Sequence, residues 1–75
     1  MDKYYQILSL LAELASEYGN NSYSVASYSM GFIPFKNGKN MVDEVGIKFS
    51  DIAKWLIDED VKNFNEELDK KNKQV

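Results

Sequence analysis

Near the start of the chain, apolar residues recur at alternating spacings of three and four: Tyr4, Ile7, Leu11, Leu14 and Tyr18. Leu8 and Ala15 widen this stripe. The period is that of one face of an α-helix. Asp2 is placed to cap the start, and Gly19 followed by Asn20 and Asn21 to stop it, which predicts a helix over residues 3–18. Tyr5 and Leu10 lie off the stripe, available to another element or to solvent. The same positions match a heptad seam, but two and a half heptads favour packing within the chain over a coiled-coil dimer.

The period changes at Ser22. The stretch Ser22–Ser29 alternates and is rich in Tyr and Ser, which favours a strand. Asn37-Gly38 follows Phe32–Lys36, and this dipeptide is the strongest short-range signal for a two-residue hairpin turn. A hairpin over about residues 22–49 that turns there sets Phe32 opposite Asp43, Met30 opposite Val45 and Tyr28 opposite Ile47. That face is largely apolar, while the other is mostly polar or small. Asp43 is then an anomaly on the buried face. Pro34 falls opposite Met41 and has no N–H to donate, so a ladder bond should be missing there.

Ser50 or Asp51 caps a second helix, predicted over residues 51–70 with a frayed tail at 72–75. It carries two apolar groups. Ile52, Trp55 and Leu56 form one; Ile57, Val61, Phe64 and Leu68, spaced four, three and four, form the other. Either one long helix turns two faces to its neighbours, or Asp58-Glu59-Asp60 marks a bend. An isolated hairpin is unstable in water, so the helices must cover its apolar face. The expected fold is therefore α+β: one two-layer domain with an N-terminal helix, a two-stranded antiparallel hairpin turning at Asn37-Gly38, and a C-terminal helix.

Composition narrows the chemistry. The 75 residues contain no His, no Cys and no Arg. Most side-chain catalysis and transition-metal binding draw on the first two, and bidentate phosphate or guanine recognition draws on the third. We therefore expect no enzyme, no catalytic residue, no cofactor and no metal. Nine Lys against twelve Asp plus Glu leave a charge of −3, which argues against a nucleic-acid partner. No run approaches the ~20 apolar residues of a membrane span, and the lack of Cys is consistent with the cytoplasm. An all-Lys basic set beside frequent Asn points to an AT-rich bacterial genome or its phage.

What remains is binding. Asp58, Glu59 and Asp60 lack the spacing of a calcium loop and read as a solvated helix surface. Several acids there precede a Lys by four residues, Asp58–Lys62 and Glu66–Lys70 among them. Gly31, Gly38 and Gly46 fit no phosphate loop. Tyr/Ser mixtures make adaptable contact surfaces. Tyr23, Ile33 and Phe35, with Lys36 and Lys39 beside them, are thus the predicted partner-binding residues, unless a helix of the same chain covers them. The sequence is read as a small acidic interaction module, encoded by a phage or mobile element, that binds and inhibits a host protein such as a nucleic-acid or defence enzyme. A homodimer that touches nucleic acid through the Lys-bearing hairpin, and a structural or assembly subunit, are the alternatives.

Overall fold

The computed structural model describes residues 2–18 and 20–73. The predicted stop at Gly19 and the tail residues Gln74 and Val75 lie outside them. The elements run α1 (Lys3–Ala15), β1 (Tyr23–Tyr28), β2 (Gly31–Lys36), β3 (Lys39–Asn40), α2 (Val42–Val45) and α3 (Phe49–Lys73). The architecture is the expected α+β arrangement of helix, antiparallel hairpin and helix.

Asp2 caps α1 as expected: its carboxylate accepts the Tyr4 N–H at 2.9 Å. The helix ends at Ala15, three residues early. There the Ser16 hydroxyl donates back to the Ala12 carbonyl at 2.7 Å and accepts the Tyr23 N–H at 2.8 Å. That second bond ties the end of α1 to the first strand.

The Asn37-Gly38 turn is present, with φ of 54° and 82° at its two positions. It joins β2 to β3, and pairs Lys36 with Lys39 and Phe35 with Asn40. At the next position the Met41 N–H donates to the Pro34 carbonyl at 2.8 Å, and the reciprocal bond is lacking because proline has no donor.

The predicted long second strand does not form. The ladder has lost a bond at Pro34, and the Asn40 side chain accepts the Val42 N–H at 2.8 Å. The chain turns into α2 instead. Asp43 and Glu44 then occupy the first turn of a short helix, exposed, and the anomaly of a buried Asp43 disappears. The other edge of β2 pairs with β1, through Tyr23↔Lys36, Val25↔Pro34 and Tyr28↔Gly31. The sheet therefore has three strands in the order β1-β2-β3, with its main turn at Ser29-Met30. Segment 46–48 crosses the start of β2, where the Ile47 carbonyl accepts the Phe32 N–H at 3.0 Å. A Cβ on Gly31 would lie 2.6 Å from that carbonyl oxygen, so only glycine fits.

Contacts between α1 and α3 fix their relative direction. Tyr4 meets Phe49 edge-on at 5.0 Å and Tyr18 meets Phe64 at 5.4 Å, so the two helices run parallel. Because Ala15 lies beside Asn63, residues 64–73 of α3 run past the end of α1. The core lies between this helical layer and the sheet: Leu8, Ala12 and Ala15 from α1, Tyr23 and Val25 from β1, Ile52 and Leu56 from α3. On α1 the buried face is thus rotated from the predicted stripe. Leu11 is half-buried, whereas Tyr4, Ile7 and Leu14 are exposed. The rotation arises because α1 packs on the sheet and on α3 at once.

Candidate interaction surfaces

The predicted partner-binding residues divide between the two faces of the sheet. Tyr23 and Lys36 are cross-strand neighbours on the face turned to the helices, and Phe35 and Ile33 lie on the opposite face. Tyr23 is only 6 % exposed. It is not part of an open surface, because α3 covers it. Its ring meets Trp55 edge-on at 5.6 Å, and its hydroxyl donates to Glu59 Oε1 at 3.1 Å. Lys36 is likewise spent internally, with Nζ 2.6 Å from the same Glu59 oxygen and 5.8 Å from the Tyr23 ring centroid. Lys39 is exposed, 3.6 Å from Glu44. Ile33 and Phe35 are half-buried on the outer face. The five residues do not form one site.

Around Tyr23 the structure closes a ring of polar side chains. Asn63, 3 % exposed, donates to the Tyr23 hydroxyl at 3.0 Å and accepts from Asn21 at 3.1 Å. Asn37 donates to Asn21 at 3.1 Å, and its side-chain oxygen accepts the Ser22 N–H at 2.8 Å. The hairpin turn, the loop after α1 and the middle of α3 are thereby tied together. Glu59 belongs to this ring and is not the solvated residue expected from the acidic run. Asp60 is also partly covered, and one of its carboxylate oxygens is buried without a hydrogen-bond partner.

Charge in the ring is complementary. Burial alone would raise the Glu59 carboxyl, but the bonds donated by Lys36 and Tyr23 outweigh it and hold the group below the usual carboxylate range. The bond to Glu59 pushes Lys36 above the ordinary lysine value. Burial pushes the Tyr23 hydroxyl up, and its bond to Glu59 adds to the rise. At neutral pH the ring therefore holds a charged Lys, an ionised Glu and a protonated Tyr. This is a clamp between elements, with no group poised to exchange a proton near pH 7.

The apolar surface lies elsewhere. On α3, Ile57, Val61, Phe64 and Leu68 are 42–53 % exposed. On α1, Ile7, Leu10 and Leu14 are 45–59 % exposed. Because α1 and α3 are parallel neighbours, these two rows line the outer side of the helical layer, opposite the sheet. Where α1 ends, Tyr18, Phe64 and Leu68 line a notch rimmed by Glu17, Glu67 and Lys71. The second apolar group of α3 is thus a real second face, left about half exposed with Tyr18 packed against Phe64. α3 is continuous through Asp58-Glu59-Asp60.

Two signals were available for what the sequence reading missed. Glu59 and Asn63 continue the buried stripe of Ile52 and Leu56 at spacings of three and four, which marks them as core-facing polar groups. And a two-layer domain this small lacks enough sheet to cover two apolar stripes on one helix. Among the described residues no group of three or more acidic side chains is gathered as a metal site, and no helix is long and apolar enough to cross a membrane. No protein-family model matches the chain, and neither a curated protein nor a solved structure is found to be similar to it.

Proposed function

We propose that this chain is a non-enzymatic protein-interaction module that docks through the outer side of its α1–α3 layer. One observation carries the reading: seven large apolar side chains stand about half exposed on one side of the molecule. Between them they present on the order of 600 Å², at the upper end of the largest apolar patch usual on a monomer, and such patches mark interaction sites. The hairpin is a weaker candidate, because Tyr23 and Lys36 hold the fold together. A nucleic-acid role for the hairpin loses ground for the same reason: Lys36 and Lys39 each face a carboxylate. Inhibition of a host protein is the narrower form of the proposal and rests on size and acidic balance alone.

Carbene footprinting tests the reading. Labelling of Ile57, Val61, Phe64 and Leu68 is compared between dilute purified protein and cells that express it. We expect marked protection in cells, with Ile33 and Phe35 unchanged. Equal labelling in both settings removes the basis of the proposal.

A further inference from the structure

We infer that the occupant of this helical face is a second copy of the chain, seated antiparallel so that each α3 lies across the other copy's α1–α3 groove. This deepens the interaction-module reading and rests on it.

Four observations converge on a second copy. The first is spacing. Ile57, Val61, Phe64 and Leu68 are separated by four, three and four residues, a palindrome. A helix with such a stripe matches itself when reversed: Ile57 falls opposite Leu68 of the other copy, and Val61 opposite its Phe64. A two-fold axis requires this self-complementarity, because an isologous interface uses one patch twice.

The second is the overhang. The turning point of the stripe lies between Val61 and Phe64, level with the end of α1. Residues 64–73 project beyond that level and have no α1 beside them. Reversal about this point lays the projecting segment over the other copy's groove, between Ile7 and Leu14 on one side and Ile57 on the other. The exposed row on α1 and the exposed end of α3 are then covered by the same act. A parallel copy would leave the projecting ends side by side and the α1 rows facing neither.

The third is area. Roughly 600 Å² of apolar surface per copy, with the polar rim around it, approaches the ~800 Å² per partner of a standard interface. The fourth is electrostatic. α1 and α3 run parallel, so their dipoles add within one chain, with both positive ends at the same end of the layer. An antiparallel copy brings the negative C-terminal end of its α3 to that end of the layer, where the dipoles oppose favourably.

The chain has no cysteine, so single thiols can be introduced without background. Two measurements test the inference on the full chain. Sedimentation equilibrium from low micromolar to millimolar concentration should show a monomer–dimer transition in the wild type. Val61→Asp combined with Phe64→Ser should weaken it at least tenfold, with unchanged far-UV circular dichroism; Ile57→Lys serves as a second variant should the first lose its helix signal. Orientation is read from oxidative crosslinking. A mixture of Ile57→Cys and Leu68→Cys chains should form the mixed disulfide in preference to either homodisulfide.

A wild type that is monomeric throughout, or a dimer that survives both substitutions, overturns the inference. Homodisulfides at both positions overturn the antiparallel arrangement. A monomer whose helical face is nonetheless protected in cells removes self-association and leaves the interaction-module reading standing. A monomer unprotected in cells removes both.

Discussion

Two stripes run along α3 with identical spacing. Ile52, Leu56, Glu59 and Asn63 face inward; Ile57, Val61, Phe64 and Leu68 face outward, each set separated by four, three and four residues. The inward stripe contains a charged and an amide side chain, yet Leu56 is fully buried and Asn63 nearly so. The outward stripe is wholly apolar, yet stands about half exposed. Hydrophobicity alone would rank them the other way round. What separates them is the supply of partners. Inside, the sheet and the loop after α1 deliver Tyr23, Lys36 and Asn21 to meet Glu59 and Asn63, the two polar side chains of that stripe. Outside, Tyr18 packs against Phe64, and the stripe is still left about half exposed. Burial in a domain this small follows from where the neighbours are, and polar residues are admitted to the core when their hydrogen bonds are already waiting.

The sharpest way to break this comparison is to truncate one residue from each stripe. Leu56→Ala should cost about 3 kcal/mol, through lost burial and the cavity left behind. In a domain of this size that lowers Tm by well over 10 °C, at roughly 4–8 °C per kcal/mol. Thermal or urea unfolding reads the effect. Next in size is Glu59→Ala. It leaves the Tyr23 hydroxyl and the Lys36 ammonium partly covered and without their acceptor, and should cost about 2 kcal/mol by the same measurement. An unchanged melting temperature would mean that the polar ring contributes nothing to stability.

Acidity probes the same ring without cutting it. The Glu59 carboxyl sits below its ordinary value in the folded state, so its contribution is complete above the unfolded value and is lost as pH falls through the folded one. Lys36 and Tyr23 are raised, so theirs is complete below their ordinary values and lost as pH climbs through the raised ones. Stability should be flat near neutrality, decline below about pH 4 and decline again above about pH 10. Glu59→Gln should flatten the acid limb relative to wild type. The smallest effect belongs to the outer stripe. In dilute protein, Val61→Ala should change unfolding stability by no more than about 0.5 kcal/mol. A cost comparable to Leu56→Ala would show that the outer stripe is covered even at low concentration.

Local signals were legible wherever a residue acts on its own neighbours. The Asp2 cap, the positive-φ turn at Asn37-Gly38 and the missing bond at Pro34 each depend on a few adjacent positions, and each is found. The period of α3 was also readable, including its two apolar groups. Pairing was not. Both edges of β2 can accept a strand, and alternation in Ser22–Ser29 is compatible with more than one register, so the choice fell to tertiary contacts such as the Ile47 carbonyl against Gly31. The candidate site suffered from the same gap. Tyr23 projects from its strand as an aromatic residue in a Ser-rich stretch should, but which side of the sheet the helices would occupy lay beyond local pattern. Counting the apolar stripes against the elements available to cover them would have directed attention to Val61 and Phe64 instead.

The parallel run of α1 and α3 also bears on the order in which the chain assembles. Their contacts join residues far apart in sequence, as with the Asn63 bond to Ala15 across 48 positions, whereas β1 and β2 are joined by a tight turn. Closing a long loop costs entropy before its contacts reward it, and hairpins form in microseconds. The hairpin is therefore expected early, and the two helices dock on it late. Substitutions at the α1–α3 seam should then speed unfolding and leave the folding rate nearly untouched, while substitutions at the Ser29-Met30 turn should slow folding itself.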